Sequence, residues 1–150
     1  MSRYRYRLSR PYAGLPRGRS AAPSFLSSPT HLAMGLPFCE AVRAGDLLFM
    51  SGQIGNLPGT HALAAGGIAA EARQTLENLR AALAFAGATL DDVIKCTVFL
   101  ADIAEWPAFN AVYREFFPDR PPARSAFAAS GLALNARVEL EAIAWCGARR

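Results

Sequence analysis

Lysine is almost missing from this 150-residue chain, where Lys95 stands alone against fifteen arginines. Acid is missing from the first 39 residues, which hold six of those arginines (Arg3, Arg5, Arg7, Arg10, Arg17 and Arg19). Residues 40–150 carry ten basic and twelve acidic side chains, so the formal charge of +4 belongs to the leading segment and the remainder sits near −2. A nucleic-acid-binding domain carries its basic patch on the folded part, so nucleic acid is not expected as a partner. Cysteine is scarce and odd in number. Cys39, Cys96 and Cys146 show no CxxC spacing, which excludes a disulfide framework and a zinc site. Cys96 and Cys146 lie in apolar runs and are expected as buried, inert thiols. The two histidines, His31 and His61, have no partner at ligand spacing, so no metal is expected. GxGxxG, P-loop, GxSxG and HExxH patterns are all absent. No apolar run approaches the roughly 18 residues of a membrane helix, and the expectation is a soluble protein with no membrane partner.

Residues 1–31 mix Arg, Tyr, Ser, Pro and Gly without a period. They lack the long apolar stretch of a secretory signal and are read as a basic, disordered tail. The domain is then 32–150, in a cytoplasmic protein. The same Arg-rich, acid-free composition also fits an organellar transit peptide, should the host be eukaryotic.

From residue 36 the pattern tightens. Pro37 to Arg43 reads as a short strand, Ala44-Gly45-Asp46 as a turn, and Leu47 to Ile54 as a buried strand interrupted by Ser51-Gly52-Gln53. Ile68 to Ala86 repeats Leu76, Leu79 and Leu83 at helical spacing, and Gly87 is placed to terminate that helix. Val93 to Leu100 is a β-branched, apolar strand. Glu105 to Phe117 is a second helix, with Pro107 in its first turn. Its aromatic stripe of Trp106, Phe109, Tyr113 and Phe116 reads as core. Strands over 123–129 and 137–146 close the chain. The order ββ-α-β-α-ββ predicts a single α+β domain, a small sheet with both helices on one face. The other face is left apolar, and such a face usually marks a subunit interface.

The residues with chemistry are polar ones inside apolar strands. Arg124 lies in a strand of small and apolar residues. Glu139 and Glu141 alternate with Val138, Leu140 and Ala142, so both glutamates share the face opposite those three. A buried carboxylate costs several kcal/mol unless paired or neutralised, so such residues persist when they pair or when they work. Residue types alone leave both readings open: an Arg124–glutamate ion pair or an exposed edge on one side, a catalytic site on the other.

Gly45 to Ile54 resembles the first block of the RidA (YjgF-type) family. Glu77-Asn78-Leu79 with Ala86 to Lys95, then Asn110-Ala111-Val112-Tyr113, Pro122-Ala123-Arg124-Ser125 and Val138 to Ala144, resemble its later blocks in order and at compatible spacing. The resemblance runs from about Leu36 to Trp145. It implies a chorismate-mutase-like α+β domain with a mixed sheet, assembled as a homotrimer with clefts between subunits. It further implies hydrolysis of reactive enamines and imines, such as 2-aminoacrylate and 2-iminobutanoate, to 2-keto acids and ammonia, without a cofactor. By matching position, Arg124 would hold the substrate carboxylate and Glu139 would direct water. Phe38, Ser51, Asn110 and Ala126 would line the cleft, and Glu141 would be structural. Two positions depart from the family: Phe38 stands where Tyr is common, and Ala126 where Cys is common. A hydroxyl and a thiol are therefore missing, which touches rate and substrate preference more than reaction type. The competing expectation is a small-metabolite-binding or chaperone-like trimer with little turnover.

Overall fold

The computed structural model describes residues 22–147. Six strands form one sheet in the order β1-β2-β3-β6-β4-β5: β1 (Ser24–Leu26), β2 (Ala41–Ala44), β3 (Leu47–Ile54), β4 (Val93–Leu100), β5 (Ala123–Ala128) and β6 (Val138–Trp145). Only β4 and β5 run parallel, as the chain between them crosses over through a helix. The sheet is mixed, as expected. Helices α2 (Ile68–Phe85) and α3 (Trp106–Phe116) pack on each other and on one face of it. A five-residue helix, α1 (Pro29–Ala33), precedes β2.

The two long helices form where the leucine spacing and Pro107 place them. In α2 the side chains of Ala72, Leu76, Leu79 and Leu83 are fully buried against Leu48, Val98 and Leu140. Each such leucine is worth about 1.5–3 kcal/mol of burial. Gly87 ends α2 at φ 78°, and Ala88 N–H reaches back to Leu83 carbonyl at 2.8 Å, the bond that closes a left-handed C-terminus.

Three expectations need correction. The boundary at residue 31 falls inside α1, and Phe25 pairs with Val42, so the folded part begins upstream of residue 32. Residues 1–21 lie outside the described residues. The strand expected from Pro37 is confined to 41–44, since proline offers no ladder donor and the preceding residues turn toward α1. Cys96 is fully buried as expected, whereas Cys146 is only half-buried at the end of β6.

Two contacts set the end of β3. Asn78 Nδ2 donates to the carbonyls of Ile54 and Asn56, both at 2.9 Å, which ties α2 to that strand. Gly55 lies directly on the Glu71 backbone, where a Cβ would come within 2.7 Å of the carbonyl oxygen. The buried Glu71 carboxylate in turn accepts the Arg137 N–H at 2.8 Å, just ahead of β6. Between Met50 and Gln53 the β3–β6 register slips, so that Ser51 and Gly52 together oppose Glu141. This β-bulge is the structural meaning of the polar Ser-Gly-Gln patch.

Candidate active site

Arg124 is paired in register with Cys96, whose side chain is buried under the helices, so Arg124 also points to the helix face. There α3 receives it. Its guanidinium carbon stands 4.5 Å from the centroid of the Tyr113 ring, 5.6 Å from Phe109 and 6.0 Å from Trp106. Nη2 donates to Asn110 Oδ1 at 2.6 Å. The aromatic stripe read as core is therefore core only in part. Phe109, Tyr113 and Phe116 are buried, but Trp106 is 42% exposed, and three of the four rings cradle a cation. Such contacts fix a guanidinium without neutralising it. No carboxylate among the described residues lies within ion-pair distance of Arg124. Instead the side chain lines an open pocket of about 500 Å³ with Ile103, Ala104, Trp106, Pro107 and Ala126.

Beneath the cradle, the Tyr113 hydroxyl is buried against the Cys96 thiol without a hydrogen bond of ordinary geometry. Burial pushes both groups above their usual range, although the nearby Arg124 charge pulls the other way. Neither is poised as an anionic nucleophile.

Glu139 is paired in register with Phe99 and Ile54 and points to the opposite, open face of the sheet. Its carboxyl lies over Gly52 in the β3 bulge, where a Cβ would fall 2.9 Å from Glu139 Cδ and closer still to Oε1. Burial pushes the Glu139 carboxyl above the usual carboxylate range, and the negative charge of Glu141, two residues on along the same face, pushes it further. A cavity of about 600 Å³ opens beside it, with Phe38, Met34 and Leu134 in its wall. Ser51 is not in the cavity wall but precedes Gly52, which is; its hydroxyl donates to the Cys39 carbonyl at 2.7 Å and so holds the segment carrying Phe38 against β3.

The structure thus brings the expected site residues into two groups. Arg124, Asn110 and Ala126 gather on the helix side, and Phe38 and Glu139, with Ser51 behind them, on the open side. The intrachain ion pair between Arg124 and a glutamate of β6 does not form, because strand alternation sends the two to opposite faces. Sequence reasoning missed Gly52, Trp106, Tyr113 and Leu134. Only Gly52 left a signal, as a glycine inside an otherwise apolar strand. The open face carries exposed Phe25, Phe49, Phe127 and Trp145, with Val42 and Ile143 in register among them, which agrees with the apolar second face expected from the topology. Among the described residues no three His, Cys, Asp or Glu side chains gather as a metal site requires.

Comparison with known proteins adds four findings. The family model described as Endoribonuclease L-PSP matches residues 30–146. The human protein named 2-iminobutanoate/2-iminopropanoate deaminase is 39% identical over 108 residues, covering 72% of this chain and 79% of the human one. The chloroplastic Reactive Intermediate Deaminase A of Arabidopsis thaliana is 34% identical over 137 residues, covering 91% of this chain and 73% of the plant protein. Among solved structures, YyfA of Yersinia pestis, described as a protein of unknown function of the conserved Rid family, superposes with a TM-score of 0.77. It is 34% identical, with 83% of this chain and 99% of that one covered.

Proposed function

Because the chain belongs to the RidA/YjgF family, we propose that it hydrolyses small 2-imino acids, and the enamines in equilibrium with them, to 2-keto acids and ammonia. The observation that carries this reading is Arg124, a permanent cation held in place by three rings and an amide, facing a pocket with no acid among the described residues that line it. That is the environment of a fork waiting for a ligand carboxylate. An imine carbon is already electrophilic, so orientation and one proton carrier suffice. Glu139 takes a proton from water as its oxygen adds to the C=N carbon. The nitrogen becomes an amine and is protonated by the same carboxyl. The tetrahedral carbon then collapses to C=O as the C–N bond breaks and ammonia leaves, and the ionised Glu139 accepts the proton of the hydroxyl. A carboxyl raised by burial is the stronger base for this step. Glu141 acts through its charge, holding Glu139 in that state.

The two groups of residues serve one substrate when they come from two subunits of a homotrimer, with the apolar open faces as the contact. That arrangement accounts for a cation and a base placed on opposite faces of a single protomer.

The test generates 2-aminoacrylate and 2-iminobutanoate in place with a pyridoxal-phosphate-dependent dehydratase and follows keto-acid release. Acceleration by the parent is the expected result. Its absence from a well-folded oligomer overturns the reading in favour of a binding protein. A second arm co-expresses Arg124→Ala and Glu139→Gln subunits: mixed oligomers regain a measurable share of the parent rate if each site draws on two chains. They stay inactive if it does not. Gly52→Ala supplies a third arm. Its Cβ displaces the Glu139 carboxyl, and a misplacement near 1 Å lowers kcat by about 10²-fold while the circular-dichroism spectrum stays that of the parent.

A further inference from the structure

The turn leading into β6 holds two consecutive non-glycine residues in the left-handed region, Leu134 at φ 57° and Asn135 at φ 59°. Asparagine tolerates that conformation; leucine rarely adopts it. The turn is not slack. Asn135 N–H bonds the Leu132 carbonyl at 3.1 Å, Ala136 N–H bonds the Ala133 carbonyl at 3.0 Å, and Ala136 itself is buried. If a reversal of the chain were all that position 134 supplied, glycine or asparagine would serve it without strain. Nor does burial account for the leucine, since its side chain is 48% exposed and lies outside the core. What the side chain does reach is the cavity beside Glu139, whose wall it shares with Met34, Leu36 and Phe38. Strain of this kind persists where the surroundings hold it for a purpose.

Building on the deaminase reading, we propose that Leu134 is a specificity-determining residue: it forms the apolar wall that receives the substrate's side chain beyond C3. The cavity measures about 600 Å³, a size that accommodates ligands well beyond four carbons. The protein therefore favours 2-imino acids with extended apolar side chains over the unsubstituted three-carbon one.

Two variants of the full chain separate the wall from the strain. Leu134→Gly removes the wall and relieves the left-handed leucine, so loss of folding does not mask its effect. Asn135→Gly relieves the neighbouring residue and leaves the wall standing. Calorimetric titration with the unreactive products pyruvate, 2-oxobutanoate and 4-methyl-2-oxopentanoate reads the wall without turnover. The parent should bind the six-carbon acid at least about tenfold more tightly than pyruvate, in line with the discrimination an apolar pocket draws from a few carbons. Leu134→Gly should flatten the series by weakening only its longer members, and Asn135→Gly should match the parent. With imines made from alanine and leucine by an amino-acid oxidase, Leu134→Gly should raise KM for the leucine-derived imine by a larger factor than for the alanine-derived one, whereas Asn135→Gly should leave their ratio as in the parent. A flat series in the parent, or a slope that survives in Leu134→Gly, overturns the role of Leu134. If that happens while imine turnover is intact, only this inference falls. If the slope behaves as expected without turnover, only the deaminase reading falls.

Discussion

Replacing Arg124 by alanine should lower kcat/KM for 2-imino acids by about 10²–10⁴-fold. The range follows from two parallel charge-assisted hydrogen bonds to the substrate carboxylate, each worth about 1.5–3 kcal/mol, at about 1.36 kcal/mol per factor of ten. Because the proposed anchor would hold the carboxylate both before and during reaction, much of the loss should appear in KM. Arg124→Lys should recover only a fraction. An ammonium keeps the charge, but it offers neither the planar fork nor the flat surface that stacks on Tyr113. The fold should survive both changes, since Arg124 has no ion-pair partner to strand among the described residues. Cation–π contacts of this sort contribute about 0.5–2 kcal/mol each at most. Steady-state kinetics beside a thermal melt separates the two effects. A large fall in melting temperature with unchanged KM would make Arg124 a structural residue.

Glu139→Gln should behave in the opposite sense: slower and more stable. Removing a general base costs about 10²–10⁴-fold in kcat, while the amide still fits over Gly52. The stability effect has a definite sign. Burial and Glu141 raise the folded carboxyl above its unfolded value, so the folded state favours the protonated form. The cost of keeping Glu139 ionised is absent below the unfolded pKa and grows to its full size as pH rises through the folded one. Glutamine carries no such cost. Melting curves of parent and variant should therefore converge in acid and separate above the raised pKa, with the variant melting higher near neutrality. With Glu139 as the proposed base, activity follows the ionised form, so the acid limb of the parent should lie above the ordinary glutamate range. In Glu141→Gln that limb should move toward acid, because the neighbouring charge is gone. Equal melting temperatures of parent and Glu139→Gln at every pH would remove the desolvated-base argument.

Much of this was legible in the residues. Helix α2 could be placed from Leu76, Leu79 and Leu83, and its end from Gly87, because helical spacing and left-handed termination are local properties of the chain. The alternation in β6 told correctly that Glu139 and Glu141 share the face away from Val138, Leu140 and Ala142. The family blocks, read in order, pointed to Arg124 and Glu139 before any geometry was known.

Other features were invisible for a common reason: they depend on which distant segment lies alongside. The strand order sets β6 between β3 and β4, and no local pattern encodes that choice. The bulge at Ser51-Gly52 exists only relative to Glu141 across the ladder. Trp106, Phe109 and Tyr113 look like a core stripe until β5 delivers a guanidinium beneath them. The short strand Ser24–Leu26 has too few residues to show a period, and its pairing with β2 alone reveals it. Hydrophobic periodicity and glycine placement act within a few residues, so the sequence by itself determined the helices, most of the strands and the face of each glutamate. Whether Arg124 and Glu139 meet within one protomer depends on the register between β5, β4 and β6, a long-range pairing, and only the tertiary structure decided that they do not.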